Sequence, residues 1–190
     1  MQQERAQFWQ LVQGILAHEF IFIDESGINL ALTRLYARSP RGKRARGNRP
    51  QKRGKTVSLI GAIGLKGLIT QVSLLGAADG LSFEAFIAQR LVPKLWAGAC
   101  VLMDNCSIHK GAEIEALITG AGARLIYLPP YSPDFSPIEN CWSKIKSLLR
   151  SMGARNYPDL VKAIEAAFEK VALSDIRSWF THCCYCTSED

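Results

Sequence analysis

The sequence predicts an α/β fold in which five strands form one mixed β-sheet with helices packed on its faces. Two short, continuous apolar runs, residues 20–23 and 99–103, are typical of strands that are covered on both sides. Residues 56–75 have the pattern of a β-hairpin, and the strands after it are separated by segments of helical periodicity. Antiparallel strands followed by strands that alternate with helices predict a mixed sheet.

The first half of the chain predicts a helix, a strand and the hairpin. A leading helix is expected over residues 5–17, with an apolar face formed by Phe8, Leu11, Val12 and Ile15. The strand over residues 20–23 ends abruptly at Asp24. Two further strands, residues 56–65 and 68–75, are joined by a tight turn at Lys66-Gly67.

The second half alternates helices with strands. We expect a helix capped by Ser82 and shortened by Pro93, and then the strand over residues 99–103. A helix over residues 108–119 ends at Gly120 and is followed by a strand over residues 124–128. The remaining helices are expected at residues 137–150, 158–171 and 174–182, after the stiff loop PPYSPDFSP.

Length and composition are those of one globular domain covering residues 1–190. The chain is 48% hydrophobic and 21% charged, and its length allows a sizeable core without disulfides. No charge-free run approaches the roughly 20 apolar residues that span a bilayer, and the first residues carry no secretory signal. We therefore expect no membrane span, a cytoplasmic location and six reduced cysteines.

The positive charge is concentrated in one loop, residues 38–55, which has no acidic residue and no helical or alternating periodicity. Its nine basic residues are Arg38, Arg41, Lys43, Arg44, Arg46, Arg49, Lys52, Arg53 and Lys55. Outside this loop acidic residues outnumber basic ones. A cationic loop gains affinity for nucleic acid by releasing counterions from phosphates, so we interpret these nine residues as a DNA-binding arm. The alternative is a solvated basic loop.

Three acids have positions suited to a metal-dependent site. Asp24 and Asp104 each follow a buried strand, and α/β sheets place their chemistry beyond the carboxyl ends of such strands. Glu139 begins the helix after the proline-rich loop. Carboxylates gathered in one cleft repel one another, and Mg²⁺ or Mn²⁺ relieves that repulsion. A pair of such ions can activate water and stabilise the leaving oxygen in phosphodiester displacement.

Each acid also has a structural explanation. Asp24 and Asp104 could form turns at strand ends by accepting hydrogen bonds from nearby backbone N–H groups. Glu139 could complete a capping box, with Ser136 as N-cap and Pro137 at the first helical position. Asp134, in the same loop, is a rival third ligand, although a turn is its simpler role.

Histidine and cysteine residues at two further places have side chains that could bind a phosphate or a metal. His109 could orient a phosphate or lie near a metal, or could simply begin a helix. The cluster His182-Cys183-Cys184-x-Cys186 has the composition of a zinc site. Adjacent cysteines do not easily surround one tetrahedral ion, and the chain has no distant CxxC partner, so zinc is not expected.

Three motifs together resemble one known family. FIDESG around Asp24, LMDNCSIHK around Asp104 and LPPYSPDFSPIENCWSKIK around Glu139 are similar to the catalytic domain of DDE transposases. The similarity is to the mariner-like superfamily, in its bacterial insertion-sequence branch, and extends over residues 20–185. The 34 residues between Asp104 and Glu139 match the family spacing.

The resemblance implies a ribonuclease-H-like fold in which Asp24, Asp104 and Glu139 are the catalytic residues and bind two Mg²⁺ or Mn²⁺ ions. It implies cleavage at the ends of a mobile element and transfer of the freed 3′-hydroxyl to target DNA, by a homodimer assembled on DNA in the nucleoid. Supporting positions inside the motifs are Asn105, His109, Tyr131, Asn140 and Lys144.

Two departures from the family pattern leave a second function open. Members of the family usually carry an N-terminal helix-turn-helix domain, whereas about 19 residues precede the first strand here. We expect that domain to be encoded separately or fused by frameshifting. Cys184 replaces an expected glycine.

The alternative function is a catalytically silent, DNA-binding remnant that competes with full-length transposase. A ribonuclease H proper would leave the proline-rich motif unexplained.

Overall fold

The computed structural model describes residues 2–186 and contains a five-stranded sheet. Its strands are β1 (Phe20–Ile28), β2 (Val57–Gly64), β3 (Gly67–Leu75), β4 (Cys100–Met103) and β5 (Arg124–Tyr127). They lie in the order β3-β2-β1-β4-β5. The first three strands pair antiparallel, whereas β4 is parallel to both β1 and β5. The mixed sheet and the hairpin are therefore as predicted.

Strand β1 is longer than the apolar run that predicted it. Pairing with β4 ends at Phe22, but pairing with β2 continues to Ile28, so Asp24 lies within the strand rather than after it. The prediction was wrong at this boundary because the antiparallel neighbour supplies hydrogen bonds that a local apolar run does not reveal. Asp24 still lies beyond the part of β1 that is paired on its β4 side.

Alternate residues of β1 pack into two separate cores. Phe20 and Phe22 belong to one apolar cluster, and Ile21 and Ile23 belong to another on the opposite face. This alternation is the period of two that a strand imposes on its side chains. Both faces of the sheet are therefore covered by helices.

Within residues 2–186, six α-helices pack around the sheet: α1 (Gln2–Val12), α2 (Gly80–Phe86), α3 (Ala112–Gly120), α4 (Pro137–Met152), α5 (Tyr157–Glu169) and α6 (Leu173–His182). Helices α4 to α6 agree with the prediction to within a few residues. In α1, Phe8 and Val12 are buried as predicted, but Leu11 is exposed. This helix ends before Gly14, whose φ of +83° breaks helical geometry.

Helices α2 and α3 begin at residues other than those predicted. Asp79, not Ser82, is the N-cap of α2. Ser82 is the third helical residue and completes a capping box: its backbone N–H donates to Oδ1 of Asp79, and its hydroxyl oxygen accepts from the backbone N–H of Asp79. Helix α2 continues into a π-helical turn, Ile87–Leu91. Helix α3 starts at Ala112 rather than at residue 108, because a separate 3-10 turn, Ser107–His109, precedes it.

The segment after α6 contains a strained residue. Cys184 has a φ of +65°, a conformation that favours glycine because a Cβ is crowded there. The family resemblance led us to expect glycine at this position. Tyr185 next to it is buried and donates its hydroxyl proton to the Phe135 carbonyl at 2.8 Å. All six cysteines are free thiols.

The basic residues of the loop at 38–55 are exposed, and the loop contains no helix or strand. Its last residues are anchored to the start of α5. The backbone N–H of Lys55 donates to the Tyr157 hydroxyl at 2.6 Å, and the Leu30 N–H donates to the Arg53 carbonyl at 3.0 Å. Across residues 2–186, no helix has both the length and the apolar character that a bilayer crossing requires.

Candidate active site

The three predicted acids line one cleft at the edge of the sheet. This cleft has a volume of about 460 Å³ and contains Asp24, Asp104 and Glu139 in its walls. Asp24 comes from β1, Asp104 follows β4, and Glu139 is in the first turn of α4. The parallel pairing of β1 and β4 brings the first two together, since the carboxyl ends of parallel strands meet at one edge.

Asp24 is the most deeply buried of the three acids. Its Oδ2 accepts a hydrogen bond of 2.9 Å from Nε1 of Trp142 on α4. Burial, together with the charges of Glu139 and Glu25, raises the pKa of Asp24 to about 7. Burial is the larger cause of this rise in pKa, and the two neighbouring carboxylates add to it.

Asp104 is held by a buried histidine. His109 is fully buried, and its Nδ1 lies 2.5 Å from Oδ1 of Asp104 while its Nε2 lies 2.7 Å from Oε2 of Glu25. Burial alone would lower the pKa of His109, but the hydrogen bonds to these two carboxylates raise it to about 10. Hydrogen bonding to His109 lowers the pKa of Asp104. At neutral pH a charged imidazolium therefore bridges the two acids.

Glu139 faces the cleft from the third position of α4. Ser136 is the N-cap of this helix, as predicted, but its side chain makes no capping hydrogen bond. The capping-box explanation of Glu139 therefore loses half of its reciprocal pair. Partial burial raises the pKa of Glu139; Lys146 opposes the rise, and the charges of Asp104 and Glu25 add to it.

The proline-rich loop forms the opposite wall of the cleft. Tyr131 in this loop is exposed and has a φ of +55°, a strained conformation for a non-glycine residue. Asp134 is not among the residues that line the cleft. Both guanidinium nitrogens of Arg5 donate to it instead, and the Arg5 guanidinium lies 3.9 Å from the centre of the Phe135 ring. Asp134 is thus a loop anchor here, and not a third acid of the cleft.

The supporting positions divide into two groups. Asn105 and Tyr131 line the cleft, and His109 lies behind it in contact with Asp104. Asn140 and Lys144 do not line it, and Lys144 forms an ion pair with Asp175 of α6. Arg5, Glu25 and Trp142 were not predicted from the sequence. Glu25 and Trp142 lie inside two of the motifs that carry the family resemblance, and this was the only sequence signal that could have identified them.

A second cleft lies between the basic loop and the end of α4. It has a volume of about 780 Å³, and we call it the arginine cleft because five arginines line it. Arg46 and Arg49 come from the predicted arm, whereas Arg34, Arg150 and Arg155 are additions from outside it. Arg155 is anchored by donating to the carbonyl of Leu32 at 2.9 Å. The positive surface therefore extends from the loop onto the helical core.

The acids of the first cleft fit a divalent cation in chemistry and in charge. Carboxylate oxygens are the ligands that Mg²⁺ and Mn²⁺ prefer. Burial is the main cause of the raised pKa of Asp24, and the charges of Glu139 and Glu25 add to it; a bound cation would favour the ionised carboxylate against both. As the side chains stand, no three His, Cys, Asp or Glu residues in the part of the chain that the structure describes are grouped closely enough to hold an ion. The three acids line the same cleft, but their side chains are not grouped closely enough to coordinate one ion together.

Comparison with known families identifies the chain. The profile of the DDE superfamily endonucleases matches residues 19–161. The chain belongs to this family. The matched region contains all three acids of the cleft, whereas α1 with Arg5 lies outside it. A comparison with curated proteins found no match.

Solved structures of Mos1 mariner transposase share the fold of this chain. A Mos1 paired-end complex with Mn aligns over 95% of this chain and 57% of the Mos1 chain, with a TM-score of 0.77 and 16% identity. The Mos1 catalytic domain aligns over 95% of this chain and 85% of that chain, with a TM-score of 0.68 and 13% identity. The predicted ribonuclease-H-like fold is confirmed. The chain spans 57% of the longer Mos1 chain.

Proposed function

We propose that this DDE endonuclease is the catalytic domain of a transposase that cuts DNA and transfers the cut strand to a target. The observation that carries the proposal is the shared cleft: Asp24, Asp104 and Glu139 come from three separate elements and line one cavity. Family membership and the likeness to Mos1 in fold support it.

In the proposed mechanism the three acids supply the oxygen ligands for two Mg²⁺ or Mn²⁺ ions. Structures of Mos1 have been solved with Mn and with Mg. When bound, the ions would activate the attacking water or 3′-hydroxyl and stabilise the leaving oxygen. His109 holds one oxygen of Asp104, so the ligand's orientation is set before an ion arrives. Tyr131 is exposed and lines the cleft, which supports the proposal that it contacts DNA.

DNA is the proposed partner, bound through the basic loop and the arginine cleft next to it. The arginines there are suited to phosphate contacts, which position DNA without reading its sequence. Mos1 structures include a paired-end complex and a strand transfer complex. We propose by analogy that the chain works as a homodimer on two element ends, together with a helix-turn-helix domain for end recognition.

The test is cleavage and joining of DNA that carries the inverted repeats flanking the gene, with Mg²⁺ or Mn²⁺. Asp104→Asn and Glu139→Gln should each lower the rate by at least a hundredfold. Glu165→Gln, at an exposed acid of α5, is the matched control and should retain wild-type activity. Wild-type activity in Asp104→Asn would contradict the proposal.

The same assay distinguishes the alternative function. Salt-dependent DNA binding by the wild-type chain, without metal-dependent nicking under any of these conditions, would identify a silent remnant that competes with an intact transposase. Supplying a helix-turn-helix domain in trans separates missing end recognition from missing catalysis. Cleavage confined to RNA paired with DNA would indicate a ribonuclease H.

A further inference from the structure

Trp142 connects α4 to the first acid of the cleft. It lies three residues after Glu139, so the two side chains share a face of the helix. The indole is 2% exposed, and its Nε1–H donates to Oδ2 of Asp24 at 2.9 Å, between residues 118 positions apart in the chain. An indole nitrogen can only donate a hydrogen bond, so this contact stabilises a carboxylate acceptor.

A glycine makes room for this ring. Gly61 of β2 lies directly opposite Asp24 of β1 in the antiparallel register. A Cβ at Gly61 would be 2.8 Å from Cη2 of Trp142, closer than packed carbon atoms approach. The ring therefore crosses β2 at Gly61, where the strand has no side chain to block it.

The ring is also restrained from its other side. Phe168 of α5 packs against it edge to face, with ring centroids 6.2 Å apart and planes at 82°. Because the strand and α5 confine the indole, its N–H direction is set by packing. A hydrogen bond of this kind to a ligating carboxylate orients the ligand before a metal binds.

We propose that Trp142 is a positioning residue for Asp24 and that Gly61 is its required partner. The indole occupies one acceptor site of Oδ2 and presents the rest of the carboxylate to the cleft in a single orientation. This inference rests on the proposed function, since it assigns to Asp24 the role of a metal ligand. Trp142 touches neither the metal nor the DNA in this role.

The first test measures Mn²⁺ binding by the DNA-free chain, by electron paramagnetic resonance, alongside thermal unfolding. Trp142→Phe keeps an aromatic ring but loses the donor, and should weaken Mn²⁺ binding about tenfold. Gly61→Ala should weaken it similarly, although the indole is still present, because the added methyl displaces the ring. Ile118→Ala, at a fully buried residue in the core on the opposite face of the sheet, is the packing control: it should lower the Tm while leaving Mn²⁺ affinity within about twofold of wild type.

The second test needs no variant of Trp142 in the measured sample. In ¹⁵N spectra, Mg²⁺ should shift the indole resonance of Trp142, which is assigned with Trp142→Phe or by its response to Gly61→Ala. The indole resonances of the other three tryptophans, Trp9, Trp96 and Trp179, should stay unchanged. In Asp24→Asn the Mg²⁺-induced shift should disappear. This readout reports contact with the ligand rather than general stability.

The outcomes separate the two claims. Mn²⁺ binding that depends on Asp24 but is unchanged by both Trp142→Phe and Gly61→Ala would overturn the positioning role alone. Wild-type chain that binds neither ion would overturn the metal site of the proposed function, and this inference with it. Equal losses of Mn²⁺ affinity in Trp142→Phe and in the packing control Ile118→Ala would show that Trp142 acts only as a core residue.

Discussion

Arg5 of α1 holds Asp134 of the proline-rich loop through a two-pronged ion pair, with N–O distances of 3.0 and 2.6 Å. The same guanidinium donates to the Ser132 hydroxyl at 2.9 Å. A helix outside the matched family region therefore restrains the loop that forms one wall of the cleft. Two parallel hydrogen bonds restrain orientation as well as distance.

Arg5→Gln should loosen this loop without unfolding the domain. Because the pair is exposed, we expect little change in Tm, but misplacement of the cleft wall should lower the rate of DNA cleavage about tenfold. The measurement is a double-mutant cycle with Asp134→Asn. If the effects on rate are fully additive, the two residues do not act through their contact.

His109→Ala should destabilise the chain in a pH-dependent way. It leaves Asp104 and Glu25 without the cation between them, and the loss should be about 2 kcal/mol at pH 6. Because the folded pKa of His109, about 10, is above its ordinary value of 6.5, its contribution is complete below pH 6.5 and declines as the pH rises toward 10.

Urea unfolding of wild type and His109→Ala at pH 6, 8 and 10 measures this difference directly. His18→Ala, at an exposed histidine, is the control and should show no such trend. A stability difference that is constant from pH 6 to pH 10 would exclude a charged His109.

Asp24 should make the metal-free chain less stable as the pH rises from 4 to 7. Its folded pKa of about 7 lies above the ordinary 3.8, so the folded state binds more protons in this window and loses stability, on the order of 2 kcal/mol, as they are released. Asp24→Asn should flatten this part of the curve. Adding Mg²⁺ to the wild type at pH 8 should restore stability; no Mg²⁺ effect would argue against a cation at this acid.

The arginines that line the second cleft should contribute to DNA affinity whether they come from the loop or from the helical core. Arg49→Gln and Arg150→Gln should each weaken binding and reduce the slope of log affinity against log salt by about one. Arg177→Gln, at an exposed arginine of α6, is the matched control. Unchanged slopes in both cleft variants would confine DNA binding to other parts of the surface.

Cys184→Gly should stabilise the chain. The residue has a φ of +65°, where a side chain costs about 1 kcal/mol relative to glycine. For a domain of this size the expected rise in Tm is roughly 2–4 °C. Cys184→Ser removes the thiol but keeps the Cβ, and so should produce no rise; equal gains in the two variants would assign the effect to the thiol.

The three acids could be predicted because each lies beside a local pattern. Apolar runs identified β1 and β4, and the proline-rich loop identified the start of α4. The prediction of Asp24 just after its strand was wrong, since the antiparallel ladder with β2 extends β1 to Ile28. The predicted start of α3 at residue 108 was wrong because the 3-10 turn that contains His109 comes before that helix.

Sequence patterns over a few neighbouring residues therefore determined the strands, the hairpin and the apolar faces of the helices. They also showed which strand or helix each of the three acids lies next to. Only the tertiary structure decided that Trp142 reaches Asp24 past Gly61, that His109 bridges two carboxylates, and that Asp134 pairs with Arg5 instead of facing the cleft. Periodicity and capping act over a few residues, whereas these contacts join residues that meet only when helices pack on the sheet.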